Sequence, residues 1–373
     1  MSGDTHQKKP FRVLSLDGGG MRGLYTASLL QNISTQFARQ RNLNELDIGK
    51  AFDLIVGTST GGILATGLAF GLSIDKIIHL YREVGPTIFI HPQPNKMLPL
   101  ILWVKRCILK PANSSAPLRN ALVDMFQNAT VRELYENRHI GLCLTAVKMI
   151  DEKIRVFKTP HIPQKNMDDK YTLVDICLAT SAAPIFLPLA GIQSPRDNQV
   201  LESYADGGLV ANNPVLIGVI EALQLAEPTQ PIHILSIGTG SAPEGDLLKE
   251  GDLNRGLWHW NAGVKTLTLS MNAQSSSADF AAQFLTKWLS RNGQTIKIVR
   301  FPEEKKSKAH LKYLQMDLAS SEALCAFSSL GARDAIAAYR LSQDMESDEG
   351  KIIYEAFHSM PELINRSRGH DRL

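Results

Sequence analysis

The stretch Gly57-Thr58-Ser59-Thr60-Gly61 places a serine between two glycines. The mostly apolar run 52–56 before it is typical of a short buried strand, and the run 63–69 after it suits a buried helix. A serine on such a sharp turn is strained and needs small neighbours, which the glycines supply. Its hydroxyl would stand above the sheet beside a helix N-terminus, where a developing anion is stabilised. The stretch predicts Ser59 as a nucleophile, with a plain Gly/Ser/Thr-rich turn as the alternative.

A second stretch predicts a loop that binds an anion. Residues 11–16 suit a strand, and they lead into Asp17-Gly18-Gly19-Gly20-Met21-Arg22-Gly23 and then a helix. Three consecutive glycines leave backbone N–H groups accessible to a phosphate or to the oxyanion of a tetrahedral intermediate. Arg22 adds a fixed positive charge. A tight strand-to-helix turn is the alternative, and the missing Gly-Lys-Ser/Thr ending excludes a P-loop.

A third stretch supplies a candidate base. Asp206 ends a short predicted strand and is followed by Gly207 and Gly208, then by Asn212-Asn213-Pro214. A carboxylate beside two glycines can approach another loop closely and accept the Ser59 proton. The alternative is a turn in which Asp206 caps its own backbone.

The elements around these stretches alternate between strand and helix, which predicts a mainly parallel sheet with helices on both faces. Sites in such sheets lie at the carboxyl ends of the strands. Asp17, Ser59, Asp206 and Gly238 each follow a predicted strand, so we expect them to converge.

Composition narrows the function further. The chain has 373 residues, 44% of them hydrophobic and 21% charged, which fits a globular protein with a large core. A net charge of +3 gives no reason to expect a nucleic-acid polymer as partner. Four widely spaced cysteines predict neither a disulfide framework nor a zinc site, and they fit a reducing cytoplasm. No apolar run is long enough for a transmembrane helix, and the polar first residues do not resemble a signal peptide.

The segment 97–110 is apolar, contains Trp103, and is interrupted by Lys105, Arg106 and Lys110. Two interpretations stay open for it: a lid or interfacial segment that contacts lipid, or a buried core helix.

Taken together with Ser181-Ala182-Ala183-Pro184, these motifs resemble the patatin-like phospholipase family over roughly residues 11–240. The resemblance implies a patatin-type three-layer α/β/α sandwich with a mainly parallel central sheet and a helical C-terminal extension. We expect a polar tail at 1–10, a catalytic domain at 11–300, and a mostly helical extension at 301–373 that packs on it.

The resemblance also implies the roles of the site residues. Ser59 would be the nucleophile and Asp206 the base of a Ser–Asp dyad, Arg22 would support the loop, and the oxyanion donors would be Gly18, Gly19 and Gly20. The reaction would be hydrolysis of fatty-acyl esters of membrane glycerophospholipids through an acyl-enzyme, in the cytoplasm at the inner membrane surface. No metal or other cofactor is expected. Some bacterial members of the family are antiviral defence effectors that a cyclic dinucleotide activates, so such an activator is expected here, although no binding motif identifies it. The oligomeric state stays open.

Two other functions remain as alternatives. An esterase with a Ser-His-Asp triad would need a late histidine, and His310 or His358 could supply it. A non-hydrolytic sensor would use the glycine loop to bind a nucleotide or a phosphate.

Overall fold

The protein is represented by a computed structural model that describes residues 8–94, 96–164, 166–240, 248–302 and 313–364. Its centre is one sheet of eight strands in the order β5-β6-β3-β2-β1-β7-β8, with β4 paired to β3 outside this path. The strands are β1 (Phe11–Leu16), β2 (Leu54–Thr58), β3 (Gly141–Lys148), β4 (Lys153–Lys158), β5 (Ala190–Gln193), β6 (Leu201–Asp206), β7 (Ile232–Ile237) and β8 (Ile296–Phe301).

Helices cover both faces of the sheet. A π-helical turn, Leu80–Val84, joins the short helix that ends at His79 to the short helix that begins at Gly85. The helices are α1 (Gly23–Gln40), α2 (Thr60–Phe70), α3 (Ile74–His79), α4 (Gly85–Ile88), α5 (Met97–Cys107), α6 (Ala116–Phe126), α7 (Val131–Arg138), α8 (Leu173–Thr180), α9 (Gly208–Ala211), α10 (Val215–Leu225), α11 (Val264–Arg291), α12 (Ser321–Ser342) and α13 (Asp348–His358).

The apolar strands form the middle layer because both of their faces are buried. In β1, Leu14 and Leu16 belong to a core shared with α1, α2, α8, α12 and α13. Val13, which points to the other face, belongs to a core shared with α10 and α11. This alternation gives three layers, and the expected α/β/α sandwich is confirmed.

The sheet is parallel only on one side. β1 pairs in parallel with β2 and β7, and β3 and β8 extend this arrangement. β4 and β6 pair antiparallel with β3, and β5 pairs antiparallel with β6. Asp206 therefore ends a strand, as expected, but that strand is antiparallel to its neighbours. A short connection from β5 turns β6 back along the sheet, so Asp206 reaches the carboxyl edge from the opposite direction.

The C-terminal helices α12 and α13 pack on α1. The ring of Phe37 lies 5.4 Å from that of Tyr339 and 5.6 Å from that of Phe357, and all three side chains belong to or pack on the larger core. The Tyr25 hydroxyl donates to Asp334 at 2.7 Å. The expected domain boundary at residue 300 falls within β8, and this division stays a prediction.

The structure also bears on the expected absence of membrane-spanning helices and on the cysteines. No helix in the described ranges combines the length and the apolar character that a membrane span requires. The four cysteines are free thiols. The charged stretch at 303–308, for which its composition predicts a loop, and the C-terminal stretch at 366–373 lie outside the described residues.

We predict that Phe37→Ala lowers the free energy of unfolding of the whole chain by about 3–5 kcal/mol, because it leaves a cavity between α1, α12 and α13. Urea denaturation followed by circular dichroism and by tryptophan fluorescence would give one coincident transition if these helices share the central core. Phe280→Ala is the control, since Phe280 is 75% exposed and should change stability by less than about 0.5 kcal/mol. Two separate transitions would contradict a shared core.

Candidate active site

Ser59 lies on the turn between β2 and α2 in a strained backbone conformation. Its φ of 55° and ψ of −130° are rare for a residue with a side chain. Close packing imposes this turn, because a Cβ on Gly61 would lie 2.3 Å from the carbonyl oxygen of Asp17. The Ser59 N–H donates to Thr180 Oγ1 at 2.9 Å. The predicted nucleophile turn is therefore present, and the serine is the N-cap residue of α2.

Ser59 and Asp206 meet at the base of the site, although 147 positions separate them in the chain. Ser59 Oγ donates to Asp206 Oδ2 at 2.7 Å, and the Gly208 N–H donates to Asp206 Oδ1 at 2.6 Å. Both side chains are buried. Burial raises the pKa of Asp206 to about 6, although these two hydrogen bonds favour the carboxylate. The pair has the distance and the pKa that proton transfer from a serine to a base requires.

The end of α8 holds both halves of this pair. The Asp206 N–H donates to the carbonyl of Ala182 at 2.9 Å, and the Gly207 N–H donates to the carbonyl of Thr180 at 3.1 Å. Thr180 also accepts the Ser59 N–H through its side chain. The sequence motif begins one residue later, at Ser181, so sequence reasoning missed Thr180: a single threonine before that stretch carries no motif of its own.

The glycine loop lies beside Ser59, but its three glycines are not equivalent. The Gly18 N–H donates to the carbonyl of Asn212 at 2.9 Å, so it is already engaged, against the expectation that it serves an oxyanion. No described residue accepts from the N–H of Gly19 or Gly20, and both glycines line the pocket above Ser59. These two remain as candidate oxyanion donors. The φ of +58° at Gly20 also favours glycine there.

Arg22 fixes the orientation of the peptide between Gly19 and Gly20. Both the N–H and the Nε–H of Arg22 donate to the Gly19 carbonyl oxygen at 3.2 Å. Because a trans peptide points its C=O and N–H in opposite directions, this holds the Gly20 N–H away from Arg22. Burial lowers the pKa of Arg22 to about 10, so the guanidinium stays charged at neutral pH.

A residue that the sequence did not reveal holds this loop from outside. Arg300, near the end of β8, donates to both oxygens of Asp17, at 2.9 and 2.5 Å. It also lies 3.2 Å from Asp279 of α11, which accepts from the side chain of Asn213 at 2.7 Å. One arginine thus joins the glycine loop to the segment that follows Asp206. Motif reasoning missed it because the contact joins residues 283 positions apart.

An apolar pocket opens over Ser59. A mostly apolar lining with a few polar groups at one end is typical of ligand sites. Asp317 adds a buried carboxylate that accepts from the Gln93 N–H at 2.6 Å, and burial raises its pKa to about 6. The lining comes mainly from aliphatic and aromatic residues, among them Met21, Ile63, Leu80, Tyr81, Ile88, Phe89, Leu118, Phe186, Leu187, Leu209, Leu267, Met271 and Met316.

The histidine needed for a triad is not found among the described residues that line this pocket. His358 is exposed at the end of α13 and stacks on Tyr354, with ring centroids 4.8 Å apart. His310 lies outside the described residues. The geometry of Ser59 and Asp206 requires no third group to bring a base to the serine.

Three buried side chains of types that can bind a metal lie close together: Cys143 on β3, His161 after β4, and Glu221 on α10. Glu221 there is in hydrogen-bond contact with Lys158 and lies 3.4 Å from His161 Nε2. Burial alone would raise the pKa of Glu221, but these two partners lower it to about 2. An ion-paired carboxylate accounts for this cluster, and we assign no metal to it.

Comparison with known proteins agrees with this geometry. Residues 14–219, more than half of the chain, match the family described as patatin-like phospholipase. A protein from Pseudomonas aeruginosa named cGAMP-activated phospholipase is 36% identical over 72% of this chain and 73% of its own length. The chain belongs to the patatin-like phospholipase family. A cGAMP-activated phospholipase from Vibrio cholerae is 34% identical over 75% of this chain and 79% of its own length. A cUMP-AMP-activated phospholipase from Escherichia coli is 26% identical over 87% and 92% respectively.

We predict that kcat/KM of this patatin-like hydrolase for a water-soluble ester rises about tenfold per pH unit up to about pH 6 and is level above it, because only the Asp206 carboxylate can accept the serine proton. The measurement is a pH–rate profile from about pH 4.5 to 8.5. Asp317→Asn is the control, since Asp317 has a similarly raised pKa in the same pocket. A midpoint that moves or vanishes in this variant would assign the titration to Asp317.

We also predict that Arg300 positions the glycine loop. Arg300→Met leaves Asp17 and Asp279 without their shared cation, so it should lower kcat for the soluble ester at least about tenfold with little change in KM. It should also destabilise the fold by about 3–5 kcal/mol.

Arg300→Lys keeps the charge but cannot reproduce the two parallel hydrogen bonds, so its kcat should be intermediate and its stability close to that of the parent protein. Equal kcat values in the lysine variant and the parent protein, beside a methionine variant that loses only stability, would show that Arg300 is structural and does not position the loop.

Proposed function

We propose that this protein hydrolyses fatty-acyl esters of membrane glycerophospholipids, with Ser59 as nucleophile and Asp206 as general base. One observation carries it above all: Ser59 Oγ donates to Asp206 Oδ2 at 2.7 Å, and both residues line an apolar pocket. The hydrogen bond prepares the serine for attack, and the pocket suits a fatty-acyl chain.

The reaction would proceed in two halves. Asp206 takes the proton as Ser59 Oγ bonds to the acyl carbonyl carbon, and the Gly19 and Gly20 N–H groups stabilise the oxyanion. The ester C–O bond then breaks, the leaving alkoxide takes the proton from Asp206, and the acyl group stays on Ser59. In the second half, Asp206 takes a proton from a water as the water oxygen bonds to the acyl carbon. The bond from the acyl carbon to Ser59 Oγ then breaks, and Ser59 Oγ takes the proton back from Asp206 as the fatty acid leaves.

We further propose that a cyclic dinucleotide activates the enzyme, as part of antiviral defence, at the inner surface of the cytoplasmic membrane. The naming of the relatives supports the activator: two that are at least 34% identical over most of their length are called cGAMP-activated, and a third is called cUMP-AMP-activated. Phospholipid as substrate has the same support. The division into a tail at 1–10, a catalytic domain at 11–300 and an extension at 301–373 is likewise a proposal.

We predict that Ser59→Ala and Asp206→Asn each reduce fatty-acid release by about a thousandfold or more, because the two groups act as a unit. Release would be measured from vesicles of phosphatidylethanolamine and phosphatidylglycerol with no nucleotide, with cGAMP, and with cUMP-AMP. Release that requires one nucleotide would support gating, and equal release without nucleotide would contradict it.

Two variants serve as matched controls. Ser181→Ala removes another hydroxyl of the pocket, which donates to the carbonyl of Cys177 and makes no contact with Asp206. Asp317→Asn neutralises another buried carboxylate of the pocket. Both should keep most of the activity. Unchanged release by a folded Ser59→Ala variant would rule out the proposed nucleophile.

A further inference from the structure

Helix α5 presents apolar side chains on both of its faces. Its inner face packs Leu100 and Trp103 into a small core with Phe186 and Val264. The outer face leaves Leu98 and Leu102 62–72% exposed, and Leu109, just after the helix, is 93% exposed. A soluble helix normally places polar residues opposite its buried side, so this outer face lacks the expected polar surface.

The exposed residues form one stripe. Leu98, Ile101, Leu102 and Lys105 are spaced at three, four and seven positions, which places them along one side of α5, and Leu109 follows in the turn after the helix. Lys105 lies in the middle of this stripe, where its aliphatic stem can lie along apolar surface while its amine reaches outward. We call Leu98, Ile101, Leu102, Lys105 and Leu109 the outer α5 face.

The Lys, Arg, Asp and Glu residues of the chain segment that contains the outer α5 face are all basic. Between Glu83 and Asp124 the sequence contains no Asp or Glu. The same stretch contains five basic residues, of which Arg119 lies 3.9 Å from Asp175. The other four are exposed: Lys96, Lys105, Arg106 and Lys110. An apolar stripe with a basic surround is the composition of helices that lie in the surface of an anionic bilayer.

Helix α5 packs beside the pocket through its inner face. The ring of Trp103 lies 6.1 Å from that of Phe186, and Phe186 lines the pocket over Ser59. The indole N–H of Trp103 donates to the carbonyl of His91 at 3.0 Å, which fixes the helix to the preceding loop. A surface that holds α5 therefore lies beside the pocket.

We propose that the outer α5 face docks this protein on anionic phospholipid bilayers, with the leucines inserted among the acyl chains and the basic residues at the headgroups. The inference rests on the proposed function, because it supplies the contact through which lipid would reach Ser59. A dimer through this face would set like charges against each other across a two-fold axis, so a second copy fits it less well.

The test measures binding separately from hydrolysis. Full-length protein with Ser59→Ala would be sedimented with vesicles of phosphatidylethanolamine and phosphatidylglycerol, and with neutral phosphatidylcholine vesicles, so that the lipid stays intact. Adding Leu98→Glu and Leu102→Glu should lower the partition coefficient on anionic vesicles by about tenfold or more. Adding instead Lys105→Gln and Lys110→Gln should lower it about fivefold per charge and reduce the preference for anionic lipid.

The chain offers a closely matched control. Phe280 and Phe284 of α11 have the same spacing of four and are 75% and 66% exposed. Their double glutamate variant adds the same charge but should bind vesicles as the parent protein does. In a protein that keeps Ser59, the Leu98→Glu and Leu102→Glu double variant should retain its activity on a soluble ester. This measurement separates lost membrane binding from lost catalysis.

Three binding results would overturn the proposal: no binding of the parent protein to anionic vesicles, full binding by the Leu98/Leu102 variant, and equal losses of vesicle binding in the α5 and α11 variants. A fourth would be a change from dimer to monomer in the Leu98/Leu102 variant on size-exclusion chromatography. The last would assign the outer α5 face to a second copy. Failure of vesicle hydrolysis with intact binding would instead count against the proposed function.

Discussion

The site depends on one contact: a serine in a strained turn donates a 2.7 Å hydrogen bond to a buried carboxylate that arrives on an antiparallel strand. Neither half is stable in this arrangement alone, because the turn is strained and the carboxylate is desolvated. Thr180 holds the serine N–H and, through its carbonyl, the turn after Asp206. Gly61 permits the close packing against Asp17. The loops around Ser59 and Asp206 therefore supply the contacts that hold these two groups together.

Two buried carboxylates at this edge of the sheet show how environment separates roles. Burial raises the pKa of Asp17 too, but both of its oxygens accept hydrogen bonds from Arg300, whose charge favours the carboxylate, so the ion pair anchors the loop. Asp206 contacts no cationic side chain among the described residues; a hydroxyl and a backbone N–H are its partners, and burial raises its pKa to about 6. A proton can therefore move on and off Asp206 near neutral pH, which suits a base.

Local patterns in the sequence predicted the strands, the turn at Ser59, the family and the meeting of Ser59 with Asp206. These signals are short-range: a glycine spacing, an apolar run, a proline at a helix start. What they could not predict depends on contacts between distant segments. The Gly18 N–H is engaged by Asn212, Arg300 reaches Asp17 across 283 positions, and β6 runs antiparallel to its neighbour β3. Each of these follows from how loops meet after folding, and no spacing in the chain encodes it.

Helix α5 is another case in which the sequence alone could not decide which side chains are buried. Its composition left core helix and lipid contact as open alternatives, and the structure assigns the residues separately: Trp103 is buried, whereas Leu98 and Leu102 are exposed. A helix that needs apolar contact on both sides is stable in water only because the inner side gains enough from packing. The exposed leucines gain nothing in water, so an environment that buries them would hold α5, and with it Phe186 at the wall of the pocket, more firmly. Contact with lipid would then tighten the wall that the acyl chain must pass.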